Sequence, residues 1–415
     1  MTVSKFPKIL GALLLGACST VALQAAAQES ENATLVDALK SGEVGLNLRY
    51  RVEVVDQDIL VDDTVDQYDM EEEAVASTLR TRLNWRSGSY RGFTGFLEMD
   101  DVTAIGNDSY NSTTNGNIDR PVVVDPEGTE INQAYIRYSG GNSIITAGRQ
   151  RINLDGQRFV GGVGWRQNEQ TYDGVRYQYG SADSFQLDYS YVYNVNRIFG
   201  EDSSNSDMGG DIQLLHAIYP VAENHKVSAF VYNLDLEDSV NNSSRTYGID
   251  YKGKFGPVKT NLSYAHQSEI GDSNLDYSAN YYLAELGADL GPVATKLGYE
   301  VLGSDNGVGF KTPLATLHKF QGFADKFLAT PADGIEDLYV GGSIKLAGGN
   351  LGLTYHNFEA AEGSTSYGDE WNLSYGYKLT KDISALVKYA AFDADDDSTG
   401  LTNTDKLWVM VTANF

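Results

Sequence analysis

The sequence predicts an all-β chain: a transmembrane antiparallel β-barrel of about 18 strands, with 16 as the alternative count, preceded by a cleaved signal peptide. Three observations point there. The chain ends Leu407-Trp-Val-Met-Val-Thr-Ala-Asn-Phe415, with Leu407, Val409, Val411, Ala413 and Phe415 on one face and Lys406, Thr412 and Asn414 on the other. That period-two pattern suits a closing strand with lipid on one side and water on the other. The same alternation recurs along the chain with full charges on the polar face, as a wet lumen requires. The N-terminus reads as a bacterial export signal.

Residues 1–27 form that signal. Lys5 and Lys8 are its basic region, residues 9–15 its apolar core, and Ala25-Ala26-Ala27 a small-residue cleavage site before Gln28. The single cysteine, Cys18, lies in Leu15-Gly-Ala-Cys18, which resembles a lipoprotein box. Cleavage after Ala27 leaves a mature chain without thiols or disulfides; use of the box would lipidate Cys18 instead. Residues 28–43 are a short N-terminal segment, a helical plug or linker. Residues 44–415 are one barrel domain.

The strands follow in order. Val44, Leu46, Leu48, Tyr50 and Val52 share a face opposite Asn47, Arg49, Arg51 and Glu53. Leu79, Thr81, Leu83 and Trp85 oppose Arg80, Arg82, Asn84 and Arg86, and Phe93, Leu97 and Met99 oppose Glu98 and Asp100. Leu187, Tyr189, Tyr191 and Tyr193 oppose Asp188, Ser190 and Asn194. Tyr247, Ile249 and Tyr251 oppose Thr246, Asp250 and Lys252. Leu297, Tyr299 and Val301 oppose Lys296 and Glu300, and Trp371, Leu373 and Tyr375 oppose Glu370, Asn372 and Ser374. The 27 tyrosines fit interfacial girdles, where an amphipathic ring sits at the headgroup level.

Connections alternate between tight and long. Gly256-Pro-Val and Gly291-Pro-Val repeat one turn-plus-strand unit, with proline at a strand entrance where no ladder N–H is needed. Both belong to the periplasmic rim. Residues 101–128, 196–210 and 303–334 read as extracellular loops or inward-folded constrictions.

The net charge of −26 argues against a nucleic-acid partner, since phosphate binding needs a basic surface. The acid gathers in residues 56–73 and 393–397, either as solvated loop tips or as sites where divalent cations bridge to lipopolysaccharide. No spacing there matches a known cation loop. Mean hydropathy of −0.33 does not argue against a membrane, because barrel strands are half polar.

The basic residues are unevenly placed: no lysine lies between Lys40 and Lys226. The first part of the barrel is an arginine wall. Strand parity aims Arg49, Arg51, Arg80, Arg82 and Arg86 at the lumen, and Arg137, Arg149 and Arg176 follow. Guanidinium binds carboxylate as a fork, so the wall would attract anionic solutes, sugar acids above all. The competing reading is an internal ion-pair ladder with Glu53, Glu98, Asp100 and Glu130. Both readings can hold at once. The five histidines are scattered singly and show no metal-ligand spacing, so no metal or cofactor is expected. Ser263 and His266 lie three residues apart, which in a strand puts them on opposite faces, so no hydrolase is expected.

Three stretches resemble the alginate-export-type outer-membrane barrels. They are Ser77-Thr-Leu-Arg-Thr-Arg-Leu83; Asp125-Pro-Glu-Gly-Thr-Glu-Ile-Asn-Gln-Ala-Tyr135 running into residues 148–172, Gly-Arg-Gln-Arg-Ile-Asn-Leu-Asp-Gly-Gln-Arg-Phe onward; and Thr312-Pro-Leu-Ala-Thr-Leu-His-Lys-Phe. The resemblance implies an outer-membrane channel with a positive lumen, passing an acidic polysaccharide or its fragments. It makes Arg149, Arg151, Arg158 and Arg166 the first candidates for the selectivity wall. The expected function is a porin for hydrophilic, anionic solutes such as sugar acids or oligouronates. An export pore for an acidic exopolysaccharide such as alginate, or a non-conducting structural barrel, are the alternatives. The expected partners are the lipid bilayer and lipopolysaccharide of the Gram-negative outer membrane, an acidic oligosaccharide, and the barrel assembly machinery through Phe415. Residues 312–328 read as a short amphipathic helix folded into the pore or over its mouth, on the spacing of Leu314, Leu317 and Phe320.

Overall fold

The computed structural model describes residues 34–59, 72–395 and 399–415. The signal segment, Cys18 and most of the acidic stretch after Asp58 lie outside the described residues. A short helix, α1 (Leu35–Lys40), is capped by Thr34, whose hydroxyl accepts from the Asp37 N–H while the Asp37 carboxylate faces back to the Thr34 N–H. No helix among the described residues is long and apolar enough to cross a membrane.

The strands then run in sequence. The first nine are β1 (Glu43–Gln57), β2 (Glu73–Arg86), β3 (Phe93–Ser109), β4 (Gly128–Gly140), β5 (Ser143–Gln150), β6 (Thr171–Tyr179), β7 (Gln186–Asn196), β8 (Asp207–Ala222) and β9 (His225–Leu236). After them come β10 (Ser244–Phe255), β11 (Val258–Glu269), β12 (Ser278–Leu290) and β13 (Val293–Leu302). The pair β14 (Ser304–Asp305) and β15 (Val308–Gly309) is a small hairpin inside a loop. The last five are β16 (Ile335–Leu346), β17 (Gly349–Glu359), β18 (Ser366–Lys378), β19 (Ile383–Asp393) and β20 (Thr404–Asn414).

Apart from β14 and β15, they form one 18-stranded antiparallel sheet in which each strand pairs with its sequence neighbours. The sheet closes because β20 also pairs with β1, from Asn47↔Asn414 to Gln57↔Thr404. The Phe415 N–H donates to the Leu46 carbonyl at 2.8 Å and the Leu46 N–H to the Phe415 carbonyl at 3.0 Å. Closure leaves no strand edge, which is what permits a sheet to stand in hydrocarbon.

Alternation sorts the side chains as the sequence predicts. On β20, Leu407, Val409 and Val411 are exposed on the outer face while Trp408 and Lys406 are buried inside. Tyr50, Leu83, Leu97, Ile136 and Leu297 likewise point out to lipid, beside the inward Arg49, Arg51, Arg82 and Glu98.

The two rims differ. Residues 141–142, 223–224, 256–257, 291–292 and 347–348 are two-residue turns on one rim, and both ends of the barrel domain lie on that side. Long connections crown the other rim. Two expectations need correction. Residues 101–109 belong to strand, because β3 keeps pairing with β2 through a bulge between Ala76 and Thr78 as far as Val75↔Ser109, and residues 196 and 207–210 are likewise strand, in β7 and β8. Residues 312–328 do fold inward but form only a single 3-10 turn, Leu317–Lys319. Left-handed backbone at Gln321, Gly322 and Asp325 interrupts any helix, and the freed N–H groups of Phe323 and Ala324 donate instead to Glu370 on β18.

Candidate functional site: the lumen

Two inward loops fill much of the lumen: residues 151–170, between β5 and β6, and residues 303–334, between β13 and β16. The first lies against the arginine wall of β1 and β2. Arg49 donates to Gln167 Oε1 (2.9 Å), to the Gly164 carbonyl (2.9 Å) and to the Arg166 carbonyl. Arg51 binds Asp125 and the Trp165 carbonyl, with its guanidinium over the Trp165 ring. Arg80 reaches Asn47 Oδ1 at 2.7 Å and the Gln167 carbonyl at 3.4 Å. Arg82 grips Asp100 with two nitrogens (2.6 and 2.5 Å) and reaches Glu169 at 2.8 Å.

The arginines inside the loop are paired as well. Arg151 binds Glu169 and Glu98. Arg158 crosses the lumen to Glu300 on β13 (2.8 Å) and Gln321 (3.1 Å), between the Tyr281 and Phe320 rings. Arg166 joins Glu53 (3.0 Å) to Asp325 (2.9 Å). On the sheet, Arg149 forks onto Asp173 and Arg176 onto Asp188. Arg137 lies over the Tyr135 ring and donates to Thr146 Oγ1 at 3.2 Å. Arg86 sits at the short-turn rim, 61% exposed and paired with Glu43, not within the lumen, because β2 ends there.

Much of this wall is therefore an ion-pair ladder packed under a loop. Arg49, Arg51, Arg80, Arg82, Arg158 and Arg166 are buried; of the set, Arg149 and Arg151 keep the more exposed side chains inside the barrel, at 28% and 30%. Glu53, Glu98 and Asp100 join the ladder, while Glu130 accepts the Glu201 N–H at 2.8 Å. The sequence carries both partners of each pair, but parity cannot reveal that a distant loop will cover them.

The second loop docks on β18, β19 and β20. His318 Nδ1 lies 2.8 Å from Asp325 Oδ1, and Lys388 Nζ is 2.6 Å from His318 Nε2. Trp165 of the first loop stacks on His318 at 4.3 Å between ring centroids. Burial, with Lys388 and Arg166 nearby, lowers the His318 imidazole to about 3. It is thus neutral, donating from Nδ1 and accepting from Lys388. Burial pushes the Asp325 carboxyl up, but the bond from His318 with Lys406 and Arg166 outweighs it and holds the group well below the usual range. Glu169 follows the same balance: burial opposes, Arg82 and Arg151 prevail, and it titrates at about 2.

At the tip of the first loop, Asp155 reaches the opposite wall. Its Oδ2 accepts from Ser228 at 3.2 Å and lies 2.6 Å from His216 Nε2, and Lys252 Nζ stands 4.0 Å from its Oδ1. Burial opposes ionisation here too, but His216 and Lys252 hold the carboxyl at about 2.

Open space remains above and below this packed middle layer. A cavity of ≈ 600 Å³ opens at the long-loop mouth, beside Arg197, Asp207, Asp238 and Lys311. A cavity of ≈ 1070 Å³ opens at the short-turn mouth. Lys226, Lys252, Lys254, Lys259 and Lys296 line it, with Glu285, Asp183 and Glu223 as its acids. The space of ≈ 60 Å³ in the middle layer is bounded by Asp155, Arg158, Tyr281 and Phe320 and shares Lys252 and Asn261 with the larger cavity. Strand alternation had put Lys252 and Lys296 on polar faces, but none of the five was singled out as part of a solute path. Their signal was present: each lies on the inward parity of its strand, close to a tight turn.

Residues 41–299 match the model of a family described as alginate export. No curated protein matches. Among solved structures the chain is similar to OccD3 (OpdP) of Pseudomonas aeruginosa, with 14% identity, TM-score 0.69 and coverage of 91% of this chain and 92% of that one. It is also similar to OccAB4 of Acinetobacter baumannii, with 12% identity, TM-score 0.68 and coverage of 90% and 98%. OccK3 (OpdO) of Pseudomonas aeruginosa gives 14% identity, TM-score 0.65 and coverage of 92% and 97%.

Proposed function

The chain belongs to the alginate export family, and from that premise we propose that this Gram-negative outer-membrane porin passively conducts small anionic solutes of the sugar-acid class. The supporting observation is the short-turn cavity, which five inward lysines line together with three carboxylates. Ammonium groups on flexible stems act as mobile point charges, suited to handing an anion along rather than holding it in one pose. Arg149, Arg151 and Arg176 extend the cationic lining with part of their surface in the lumen. The buried arginines act one step back, by holding the inward loop in place. A packed middle layer, with one of its spaces only ≈ 60 Å³, disfavours a polymer chain in this arrangement. Recognition of the exposed Phe415 by the assembly machinery, and contact of the acidic outer loops with lipopolysaccharide, belong to the same reading.

The test is the reversal potential of the full-length barrel in planar bilayers under a salt gradient. Anion preference that shifts toward cations in Lys252→Gln/Lys254→Gln/Lys296→Gln is expected. Cation preference in the unaltered protein would overturn the reading, and an absence of conductance would favour a structural barrel.

A further inference from the structure

The long-loop mouth holds a second arrangement of cations, unlike the wall below it. Arg197 begins the connection between β7 and β8, and its backbone N–H is fixed to the Ser206 carbonyl at 2.7 Å. Its guanidinium lies over the Phe199 ring, 4.6 Å from the centroid. The wall arginines from Arg149 to Arg176 each meet a carboxylate, but Arg197 forms no ion pair among the described residues. Burial lowers it from the ordinary guanidinium value. Lys311, on the other inward loop, faces the same cavity. Its Nζ donates to the Asn241 carbonyl at 2.7 Å and approaches Asn242 Oδ1 at 3.5 Å, and it too has no carboxylate partner among the described residues. Asp207 and Asp238 share the lining, and Asp238 Oδ2 is engaged by the Gly209 N–H at 2.9 Å.

A partly desolvated cation without a counter-charge is unfavourable unless an anion arrives to complete it. The surrounding ≈ 600 Å³ offers Asn205, Ser239 and Thr312 for hydroxyl groups and Leu275, Leu317 and Leu328 for the apolar faces of a ring. Resting on the channel reading above, we propose that this cavity is an outer binding subsite for the carboxylate of an acidic sugar, with Arg197 supplying a two-point fork and Lys311 a second charge. The subsite captures solute at the long-loop mouth, before the middle layer. Phe199 packs its ring against the guanidinium and leaves N–H groups for the ligand.

The experiment uses the full-length barrel inserted in one orientation in a planar bilayer, with glucuronate added to one side at a time. Added at the long-loop side, glucuronate interrupts the current, and Arg197→Gln shortens the interruptions about tenfold, the loss expected for one charge-assisted fork. Arg197→Lys retains part of the effect, and glucose produces no interruptions in either protein. Interruptions from the short-turn side keep their length in Arg197→Gln. Retained mobility shift on heating shows that the variant is folded, and Lys311→Gln gives an independent second readout. Unchanged interruptions in both variants, with anion preference intact, would overturn the subsite and leave the channel reading standing. Lack of anion preference in the unaltered barrel would overturn both.

Discussion

Arg166 Nη2 donates to Asp325 Oδ2 at 2.9 Å, a buried ionic contact that joins one inward loop to the other beside the Arg158–Gln321 bond and the Trp165–His318 stack. Arg166 Nη1 meanwhile reaches Glu53 on β1 at 3.0 Å, and Lys406 on β20 lies 3.6 Å from the same Asp325 oxygen. The strand pair that closes the barrel and the two loops that fill it thus share one buried charge network. Asp325→Asn leaves Lys406 without its buried counter-ion and Arg166 with Glu53 alone, at a cost of about 3–5 kcal/mol. We expect a lower temperature for the heat-modifiable mobility shift and larger current fluctuations. Unchanged values for both would mean that the loops hold without the contact.

The same network predicts the direction of acid sensitivity. His318 titrates at about 3 in the folded protein, against an ordinary value of 6.5. Below 6.5 the unfolded chain takes up a proton that the folded site refuses, so stability falls as pH drops from there toward 3. Glu169, at about 2 against 4.5, contributes stability that is present above 4.5 and lost as pH falls toward 2. Both effects act in one direction. The contribution of these two groups to thermal stability should be lost progressively below pH 6.5, with the loss steepening below 4.5. His318→Gln should remove the shallow part between 6.5 and 4.5 and spare the steep one.

Gly322 tests how closely the second loop is seated. Its φ of +80° suits glycine, and a Cβ built there would lie 2.2 Å from the Glu370 carboxylate, which is occupied by two loop N–H groups. Gly322→Ala should destabilise by about 1–3 kcal/mol through overpacking and backbone strain. Denaturant unfolding followed by tryptophan emission measures it, since Trp165 and Trp408 pack beside this loop. An effect within error would mean that the loop simply shifts outward.

How much of this was legible in the sequence divides along the range of the forces. The alternation of Leu407, Val409 and Val411 against Lys406 is local, and it gave the barrel, the strand count and the lipid face. The assignment of Arg49, Arg51, Arg80 and Arg82 to the lumen is also local parity, and it held. What covers them is not local: Gln167 and Glu169 come from a loop about eighty residues or more away, and no period in the strands encodes that docking. The helix expected over residues 312–328 failed for a related reason. Its apolar spacing is real, yet Phe323 and Ala324 satisfy their N–H groups on Glu370 of a distant strand. The lysines of the short-turn mouth were readable by parity, but only the closed barrel sets the ends of four separate strands around one cavity.

The lipid face carries its own prediction. Val409 is 43% exposed on the outer side of β20, while its neighbour Trp408 is fully buried inside. Val409→Arg places a charge in hydrocarbon and should destabilise by about 2–4 kcal/mol if the site is near the bilayer midplane. The measurement is refolding equilibrium in lipid vesicles. Stability equal to the unaltered protein would place Val409 at an interface or in water.

Asp155 is where the middle layer is most open to change. Its carboxylate holds the loop tip to β8, β9 and β10 through His216, Ser228 and Lys252, and it separates the space beside Arg176 and Asp188 from the space beside Arg158 and Lys252. Asp155→Asn removes a negative charge from the passage and frees Lys252 toward the cavity, while the amide keeps most of the shape. Coulomb repulsion of an anion falls and attraction rises in the same step, so anion permeability should increase relative to cation. The barrel itself should stay intact, because no ladder hydrogen bond depends on this side chain. Reversal potentials at low and high salt separate the causes. A shift that shrinks at high salt is electrostatic, since the Debye length falls from about 10 Å at 0.1 M to about 3 Å at 1 M. A larger conductance with unchanged selectivity at both salts would instead mean that the loop tip has swung away and widened the passage.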